Sequence, residues 1–227
     1  MTATSLKAVL FDLDGTLVDT SPDLCGALNH VLAGRGYPTL PEAQVRHLVG
    51  NGARSLLARG FWGPQGEPPQ DDPDFESAVT AFIDYYRDHI IHHGSRPYPG
   101  VESTLALLKA QGVGLAVVTN KPEALALRLL DRLDLLDPFA LVVGGDTLPQ
   151  RKPHAAPLQR AMDHLGSTPA STVMVGDSHV DIHAARNAGC RVIAVSYGYH
   201  QGLGLDGFAP DRVVDHFPDM LDHLERD

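Results

Sequence analysis

A short apolar segment that ends in two closely spaced aspartates is the feature that most constrains this chain. Residues 8–11 are typical of a buried strand, and Asp12 and Asp14 follow with one leucine between them. If the strand continues, alternation places both carboxylates on one side, where at ~5 Å they repel by roughly 3 kcal/mol at an effective dielectric of 20. Such a pair indicates a bound cation or a shared proton. Gly15 then allows a turn and Thr16 offers a hydroxyl to an anion, although an ordinary capped turn is the alternative.

Five further strand-like segments occur in the second half of the chain and alternate with helical segments. The expected strands are 113–118, 140–143, 172–175, 191–195 and a weaker 210–214, and the expected helices include 75–91, 123–136 and 217–225. This order predicts an α/β fold with a doubly wound, mainly parallel sheet and a Rossmann-like core. Sites in such sheets lie at the carboxyl ends of the strands, so polar residues there are the first candidates.

A long helical stretch separates the first strand from the second. Residues 20–93 show helical spacing, interrupted by Gly- and Pro-rich breaks at 34–41 and 63–73. This length is too great for a simple crossover connection. We therefore expect a small helical cap domain at 20–93, inserted after the first strand and lying over a catalytic core formed by 1–19 and 94–227.

Within the expected cap, one glycine-rich turn precedes a short helix. Gly50, Asn51 and Gly52 lead into a helix that is expected to begin near Ala53, and the free N–H groups of a helix start bind anions. Arg54 could add a forked positive charge. The alternative is a helix–helix turn with Arg54 solvated.

Polar residues follow the later strands at the edge where a site is expected. Thr119 and Asn120 end the second strand, Lys152 lies in the loop after the third, and Asp177 and Asp181 follow the fourth. Their positions favour a shared site. Thr119 could also cap the next helix, and Lys152 could be a solvated lysine.

Histidine and cysteine give weaker signals. His179 and His183 have the i, i+4 spacing of a zinc pair, but an exposed helix face explains them more simply. Cys25 and Cys190 form no CxxC pattern and are expected to be apolar fillers.

The overall charge narrows the possible partners. The 227 residues include 18 Lys and Arg against 28 Asp and Glu, a formal net charge of −10 at pH 7. Nucleic acids need a basic surface, so we expect no nucleic acid partner, and a phosphorylated ligand would need locally placed cations. No apolar run approaches a membrane span and no signal peptide pattern precedes the first strand, so we expect a cytoplasmic protein without a membrane partner. Monomer and homodimer both remain open.

The segment Phe-Asp-Leu-Asp-Gly-Thr-Leu-Val-Asp, residues 11–19, resembles the first motif of the haloacid dehalogenase-like phosphohydrolases. The resemblance implies that Asp12 is the nucleophile and Asp14 the general acid and base. Thr119 is similar to the second-motif residue that binds the transferred phosphate, and Lys152 to the third-motif lysine that neutralises nucleophile and phosphate. Asp177 resembles the fourth-motif ligand of Mg²⁺, which implies a metal site of Asp12, Asp177 and the Asp14 carbonyl, with Asp181 in a supporting role.

Three segments are similar to the phosphoglycolate phosphatase branch of that family. They are the stretch 49–57 in the expected cap, Gly144-Gly145-Asp146 and Tyr197-Gly198-Tyr199. The resemblance implies a magnesium-dependent phosphatase acting on 2-phosphoglycolate. The substrate-binding residues expected from it are Thr16, Gly50, Asn51, Gly52, Arg54, Thr119, Asn120 and Lys152.

The chain departs from the branch pattern at two places. Residues 155–157, Ala-Ala-Pro, keep one of two usual prolines, and Val180 stands where Asn is usual before the second Asp. Other small substrates also remain open, among them sugar phosphates and N-acetylmuramic acid 6-phosphate, as does a phosphomutase. A binding module without catalysis would be expected to lack Asp12 or Lys152, and both are present.

Overall fold

The computed structural model describes residues 5–200 and 204–224. Within them the strands are β1 (Ala8–Phe11), β2 (Val18–Asp19), β3 (Arg96–Pro97), β4 (Gly114–Val118), β5 (Leu141–Val143), β6 (Thr172–Gly176), β7 (Arg191–Val195) and β8 (Arg212–Val214). The helices are α1 (Ser21–Gly34), α2 (Glu42–Arg46), α3 (Ala53–Trp62), α4 (Pro73–Asp88), α5 (Val101–Ala110), α6 (Glu123–Arg132), α7 (Ala156–Leu165) and α8 (His179–Ala188). Short 3₁₀ helices occupy Pro169–Ser171, Leu205–Phe208 and Phe217–His223.

Six of the strands form one parallel sheet, and the α/β prediction is confirmed. The strand order is β5-β4-β1-β6-β7-β8, with β1 between β4 and β6. Leu10 is in register with Ala116 on one side and Met174 on the other. Because all six strands run the same way, the loops that follow them meet at one edge, as expected for a doubly wound sheet.

Helices cover both faces of the sheet, which explains the unbroken apolar run of β1. All four residues of β1 are fully buried. Val9 and Phe11 pack with α5, α6 and the 3₁₀ helix Phe217–His223, whereas Leu10 packs with α7 and α8 on the other face. A strand buried on both faces has no polar alternation.

Helices α1 to α4 stand between β2 and β3 and form a separate layer over the loops. The chain leaves and re-enters the core side by side, because β2 pairs antiparallel with β3. Asp23, at the start of α1, accepts hydrogen bonds from the backbone N–H groups of His93 at 2.6 Å and Ser95 at 3.0 Å. These hydrogen bonds hold together the two chain segments that connect the core with helices α1 to α4. The domain bounds 20–93 stay a prediction.

Several elements are shorter than their sequence patterns indicate. The helix expected at 75–91 ends at Asp88, and that expected at 123–136 ends at Arg132. Ile91 and Asp134 have φ of +62° and +56°, values that no right-handed helix can continue through. The last helix is the 3₁₀ helix Phe217–His223, and position 225 lies outside the described residues.

No helix within residues 5–200 and 204–224 is both long enough and apolar enough to cross a bilayer.

Candidate active site

Asp12 lies at the carboxyl end of the central strand and meets a buried lysine. Its backbone N–H donates to the carbonyl of Val175 on β6 at 2.9 Å, which fixes the residue beside that strand. Its Oδ1 is 2.9 Å from Lys152 Nζ, and the same ammonium is 2.7 Å from Asp181 Oδ1. Lys152 is 3% exposed. Residues after β1, β5 and β6 therefore meet at one point, as their positions in the sequence predict.

Asp177 directly follows β6 and is held by contacts from two other loops. Thr16 Oγ1 donates to Oδ1 at 3.2 Å, and the backbone N–H of Tyr199 donates to Oδ2. Gly15, with φ of +88°, and Gly198 lie so close to this carboxylate that a side chain at either position would collide with it. Thr16 thus lies at the site, with its hydroxyl engaged by Asp177.

Asp181 connects Lys152 to the start of helix α8. Its Oδ2 accepts hydrogen bonds from the backbone N–H of Ser178 at 3.1 Å and from Ser178 Oγ at 2.7 Å, which makes a capping box. The cap fixes the carboxylate, so Oδ1 stays directed at Lys152. These contacts favour the supporting role expected for Asp181, which stays a prediction.

The three carboxylates carry more negative charge than Lys152 compensates. Oxygens of Asp12, Asp177 and Asp181 lie within 4.8 Å of one another. Burial raises the pKa of Asp12 to about 6 against the opposing effect of Lys152. Burial, reinforced by Asp181 and Asp12, raises the pKa of Asp177 well above its ordinary value. Burial alone would lower the pKa of Lys152, but the neighbouring carboxylates outweigh it and raise that pKa, so the ammonium persists.

This donor set fits a hard divalent cation. Mg²⁺ prefers carboxylate and carbonyl oxygens, and the raised pKa values mark carboxylates that lack sufficient positive charge nearby. Asp181 is already engaged by Lys152 and Ser178. Asp12 and Asp177 are therefore the candidate ligands.

Asp14 does not extend the strand, so strand alternation does not describe its position, although Asp12 and Asp14 both line one cavity. β1 ends at Phe11, and the chain turns so that Asp14 forms a bridge with Val18. The carboxylate of Asp14 faces a second lysine, with Oδ1 at 2.9 Å from Lys121 Nζ. Asp12 and Asp14 therefore each pair with a different lysine, Lys152 and Lys121.

Lys121 is the site residue that the sequence analysis missed. It is 6% exposed, and its Nζ lies 4.3 Å from the centre of the Tyr86 ring on α4. Its position directly after Thr119 and Asn120, at the carboxyl end of β4, was the only signal that could have identified it. A lysine in such a loop is usually solvated, so the pattern alone carried little weight.

Thr119 and Asn120 stabilise the loop that bears Lys121. Thr119 Oγ1 accepts from the Lys121 backbone N–H at 3.2 Å, and Asn120 Nδ2 donates to the carbonyl of Lys152 at 3.1 Å. Thr119 does not cap α6, which starts after Pro122 without a side-chain cap. Both residues stand beside Asp12 and Asp14 in the same cavity.

A cavity of about 50 Å³ lies between the core loops and the helices above them. Its walls include Asp12, Asp14, Thr119, Asn120, Lys121, Leu24, Gly50, Gly52, Phe82, Tyr86 and Leu125. Gly52, with φ of +83°, approaches the core closely: a Cβ there would be 3.4 Å from the Asn120 carbonyl oxygen. The glycine-rich turn thus reaches the site through its backbone.

Arg54 lies away from this cavity. Its guanidinium is 2.6 Å from the carboxylate of Glu76 and 5.3 Å from the centre of the Phe75 ring, and its side chain is 38% exposed. The cavity walls formed by the described residues include neither Arg54 nor Asn51. The substrate-binding role expected for both residues stays a prediction without a supporting contact.

His179 and His183 lie next to each other on α8, with ring centres 6.0 Å apart, and both contact Phe208. Among the described residues, the metal-ligand cluster of three or more acidic, histidine or cysteine side chains is the aspartate group, which contains neither histidine.

Comparison with known proteins agrees with this geometry. A sequence profile of the haloacid dehalogenase-like hydrolases matches residues 9–195. The chain therefore belongs to the haloacid dehalogenase-like hydrolase family, and the match includes Asp12, Thr119, Lys152 and Asp177.

Curated relatives indicate a phosphoric monoester hydrolase. Phosphoglycolate phosphatase of Neisseria meningitidis is 42% identical over 223 residues, covering 97% of this chain and 94% of the relative. Phosphoglycolate phosphatase of Pseudomonas putida is 41% identical over 215 residues, covering 95% and 78%. A crystal structure described as a predicted phosphoglycolate phosphatase from Haemophilus somnus superposes with a TM-score of 0.88 at 38% identity, covering 97% of this chain and 98% of its own.

Proposed function

We propose that the protein is a magnesium-dependent phosphatase that hydrolyses 2-phosphoglycolate to glycolate and phosphate through an aspartyl-phosphate on Asp12. The observation that carries the proposal is the pairing of Asp12 with the buried Lys152 beside Asp177. The names of the curated relatives support the substrate.

The carboxylates of Asp12 and Asp177, with the Asp14 carbonyl that the motif implies, would hold Mg²⁺, which when bound supplies the positive charge that lets an anionic nucleophile approach a phosphate dianion. Lys152 contributes a second, permanent positive charge at the Asp12 carboxylate. With a pKa of about 6, Asp12 is mostly ionised at neutral pH and able to attack.

Two carboxylates divide the chemistry. An Asp12 oxygen forms a bond to phosphorus while the bond from phosphorus to the ester oxygen breaks, and Asp14 gives its proton to the leaving alkoxide. Asp14 then removes a proton from water, which attacks the aspartyl-phosphate and releases phosphate and free Asp12. Lys121, 2.9 Å from Asp14, holds this carboxyl group beside the reaction.

The position of the cavity supports a substrate enclosed between the core loops and helices α1 to α4. Leu24, Phe82 and Leu125 make part of its wall apolar, and Asp12, Asp14 and Lys121 supply its charged side. Sugar phosphates, N-acetylmuramic acid 6-phosphate and the phosphomutase reaction are the alternatives that the substrate screen below separates from 2-phosphoglycolate.

A substrate screen tests the proposal. Purified protein is assayed against a panel of metabolite phosphates, with Mg²⁺ and with a chelator. We expect 2-phosphoglycolate to give the highest kcat/KM and the chelator to abolish turnover. A large preference for a hexose phosphate or N-acetylmuramic acid 6-phosphate would overturn the substrate assignment, and turnover unaffected by chelation would overturn the metal assignment.

A further inference from the structure

One wall of the cavity joins a residue of the core to a residue of the helical layer, the helices α1 to α4. Lys121 follows β4, Tyr86 lies near the end of α4, and the lysine ammonium stands 4.3 Å from the centre of the tyrosine ring. They are 6% and 1% exposed. Both line the cavity beside Asp14. The contact therefore exists only while the helices cover the core.

The Tyr86 hydroxyl is a buried donor that makes no hydrogen bond of ordinary geometry to any described residue, because Lys121 lies over the ring face instead. Leaving a buried hydroxyl unpaired is costly, which indicates a partner that the protein itself does not supply. Burial raises the pKa of Tyr86 to about 12, so the phenol keeps its proton at neutral pH and can donate it in a hydrogen bond.

Lys121 also has N–H donors that Asp14 does not use. Its ammonium offers three N–H groups, of which Asp14 Oδ1 accepts one at 2.9 Å. Burial lowers its pKa, but Asp14 outweighs this effect and raises the pKa above the ordinary value, so the positive charge is permanent. Cation and phenol together suit an anion with two acceptor oxygens.

The covalent structure of phosphoglycolate would bring its carboxylate to this point. Asp14 must reach the ester oxygen to protonate it, and Lys121 forms an ion pair with Asp14. The carboxyl carbon is only two bonds from that ester oxygen. A phosphate at Asp12 and an ester oxygen at Asp14 therefore leave the carboxylate beside Lys121.

We propose that Lys121 and Tyr86 form the subsite that binds the substrate carboxylate, one group from the core and one from the helical layer. This assignment rests on the proposed function. It makes recognition depend on closure, because a carboxylate held by both residues fastens α4 to the loop after β4. Small phosphates with a carboxylate or another anionic group near the ester oxygen are the substrate class that fits.

The test measures the ratio of kcat/KM for 2-phosphoglycolate to that for ethyl phosphate, which lacks the carboxylate. Tyr86→Phe removes only the hydroxyl, and Lys121→Met removes the charge at similar volume. Because hydrogen bonds to charged groups are strong, we expect the ratio to fall about 10-fold in Tyr86→Phe and up to about 100-fold in Lys121→Met. KM for phosphoglycolate should account for most of the change in Tyr86→Phe.

Matched controls lie outside the cavity. Tyr85→Phe alters the neighbouring tyrosine, whose hydroxyl contacts His93 at 3.3 Å, and Lys109→Met alters an exposed lysine paired with Asp137. Both should keep the wild-type ratio. Glycolate and oxalate, as inhibitors of ethyl phosphate hydrolysis, should bind more weakly to Tyr86→Phe than to Tyr85→Phe.

Each outcome is decisive. A wild-type ratio in both cavity variants, even with lower rates on both substrates, would mean that Lys121 only positions Asp14, and the subsite would be wrong while the proposed function stands. A wild-type enzyme that hydrolyses ethyl phosphate as well as phosphoglycolate would overturn both the substrate and the subsite.

Discussion

The core edge and the helical layer face each other across the cavity, but they differ in how their charges are used. At the core edge, Asp12 pairs with Lys152 and Asp14 with Lys121, each inside the site. On the helical side the wall includes glycine backbone and apolar side chains, and Arg54 of that layer pairs with Glu76 outside the cavity. On the proposed function, the core would carry the reaction, while the layer above would contribute Tyr86 to recognition.

The largest effect should come from Asp12→Asn, which tests the core edge directly. Losing the nucleophile should reduce kcat by about 10⁴-fold or more, because no other carboxylate occupies its position. The fold should survive, since the substitution removes a carboxylate whose burial raises its pKa, and Lys152 keeps Asp181 as partner. Turnover and thermal unfolding are measured on the same preparation. A folded variant with a substantial fraction of wild-type turnover would exclude covalent catalysis through Asp12.

Asp14→Asn should separate the two half-reactions. General acid and base catalysis contributes about 10² to 10⁴-fold, so steady-state turnover should fall by that factor. With p-nitrophenyl phosphate, whose leaving group needs little protonation, phosphoryl-enzyme should still form. Acid quench with labelled substrate measures it as a burst. A variant that turns over slowly without any trapped phosphoryl-enzyme would contradict the division of roles between Asp12 and Asp14.

Magnesium should stabilise the protein more at high pH than at low pH. The folded-state pKa values of Asp12 and Asp177 lie above their unfolded values, so metal-free protein loses their contribution to stability as the pH rises, and the Asp12 contribution is lost as the pH rises through about 6. Mg²⁺ needs the deprotonated carboxylates and offsets this loss. At about 100 times Kd we expect an increase in Tm of about 5 to 10 °C at pH 8, shrinking towards pH 5.

The measurement is thermal unfolding with Mg²⁺ and with chelator between those two pH values. Asp177→Asn should remove most of the Mg²⁺ effect, whereas Asp163→Asn, an exposed aspartate on α7, should retain it. An Mg²⁺ effect that is independent of pH, or intact in Asp177→Asn, would place the metal elsewhere.

The sequence was most informative where the parallel sheet does the positioning. Thr119, Lys152 and Asp177 could be predicted because strands that run the same way bring the loops after them to one edge. The path of the chain after Asp12 could not, because it depends on the turn in which Asp14 bridges Val18. Strand alternation describes the chain only as far as Phe11.

The helical layer was harder to predict, since its contacts join segments far apart in the chain. Tyr86 belongs to the apolar stripe of α4, and nothing in that stripe distinguishes it from an ordinary core residue. Lys121 stands out as a site residue only through its contacts with Asp14 and Tyr86, which precede it by 107 and 35 positions. Local spacing cannot show such pairs.

The smallest effect should come from Arg54→Ala. It tests whether a cation of the helical layer, and not only Lys121 of the core edge, binds the substrate carboxylate. The sequence interpretation places Arg54 at the start of a helix after a glycine turn, where it would bind the substrate carboxylate. In that case Arg54→Ala would lower kcat/KM for phosphoglycolate by about 10- to 100-fold. To bind the carboxylate, the guanidinium would have to leave both Glu76 and Phe75. An exposed ion pair contributes about 1 kcal/mol or less, so we expect a small loss of stability and a change below about threefold in the ratio of phosphoglycolate to ethyl phosphate turnover. The opposite result would be a 10-fold fall in the ratio of phosphoglycolate to ethyl phosphate turnover in Arg54→Ala, with a wild-type ratio in Lys121→Met. It would assign recognition of the carboxylate to the helical layer alone.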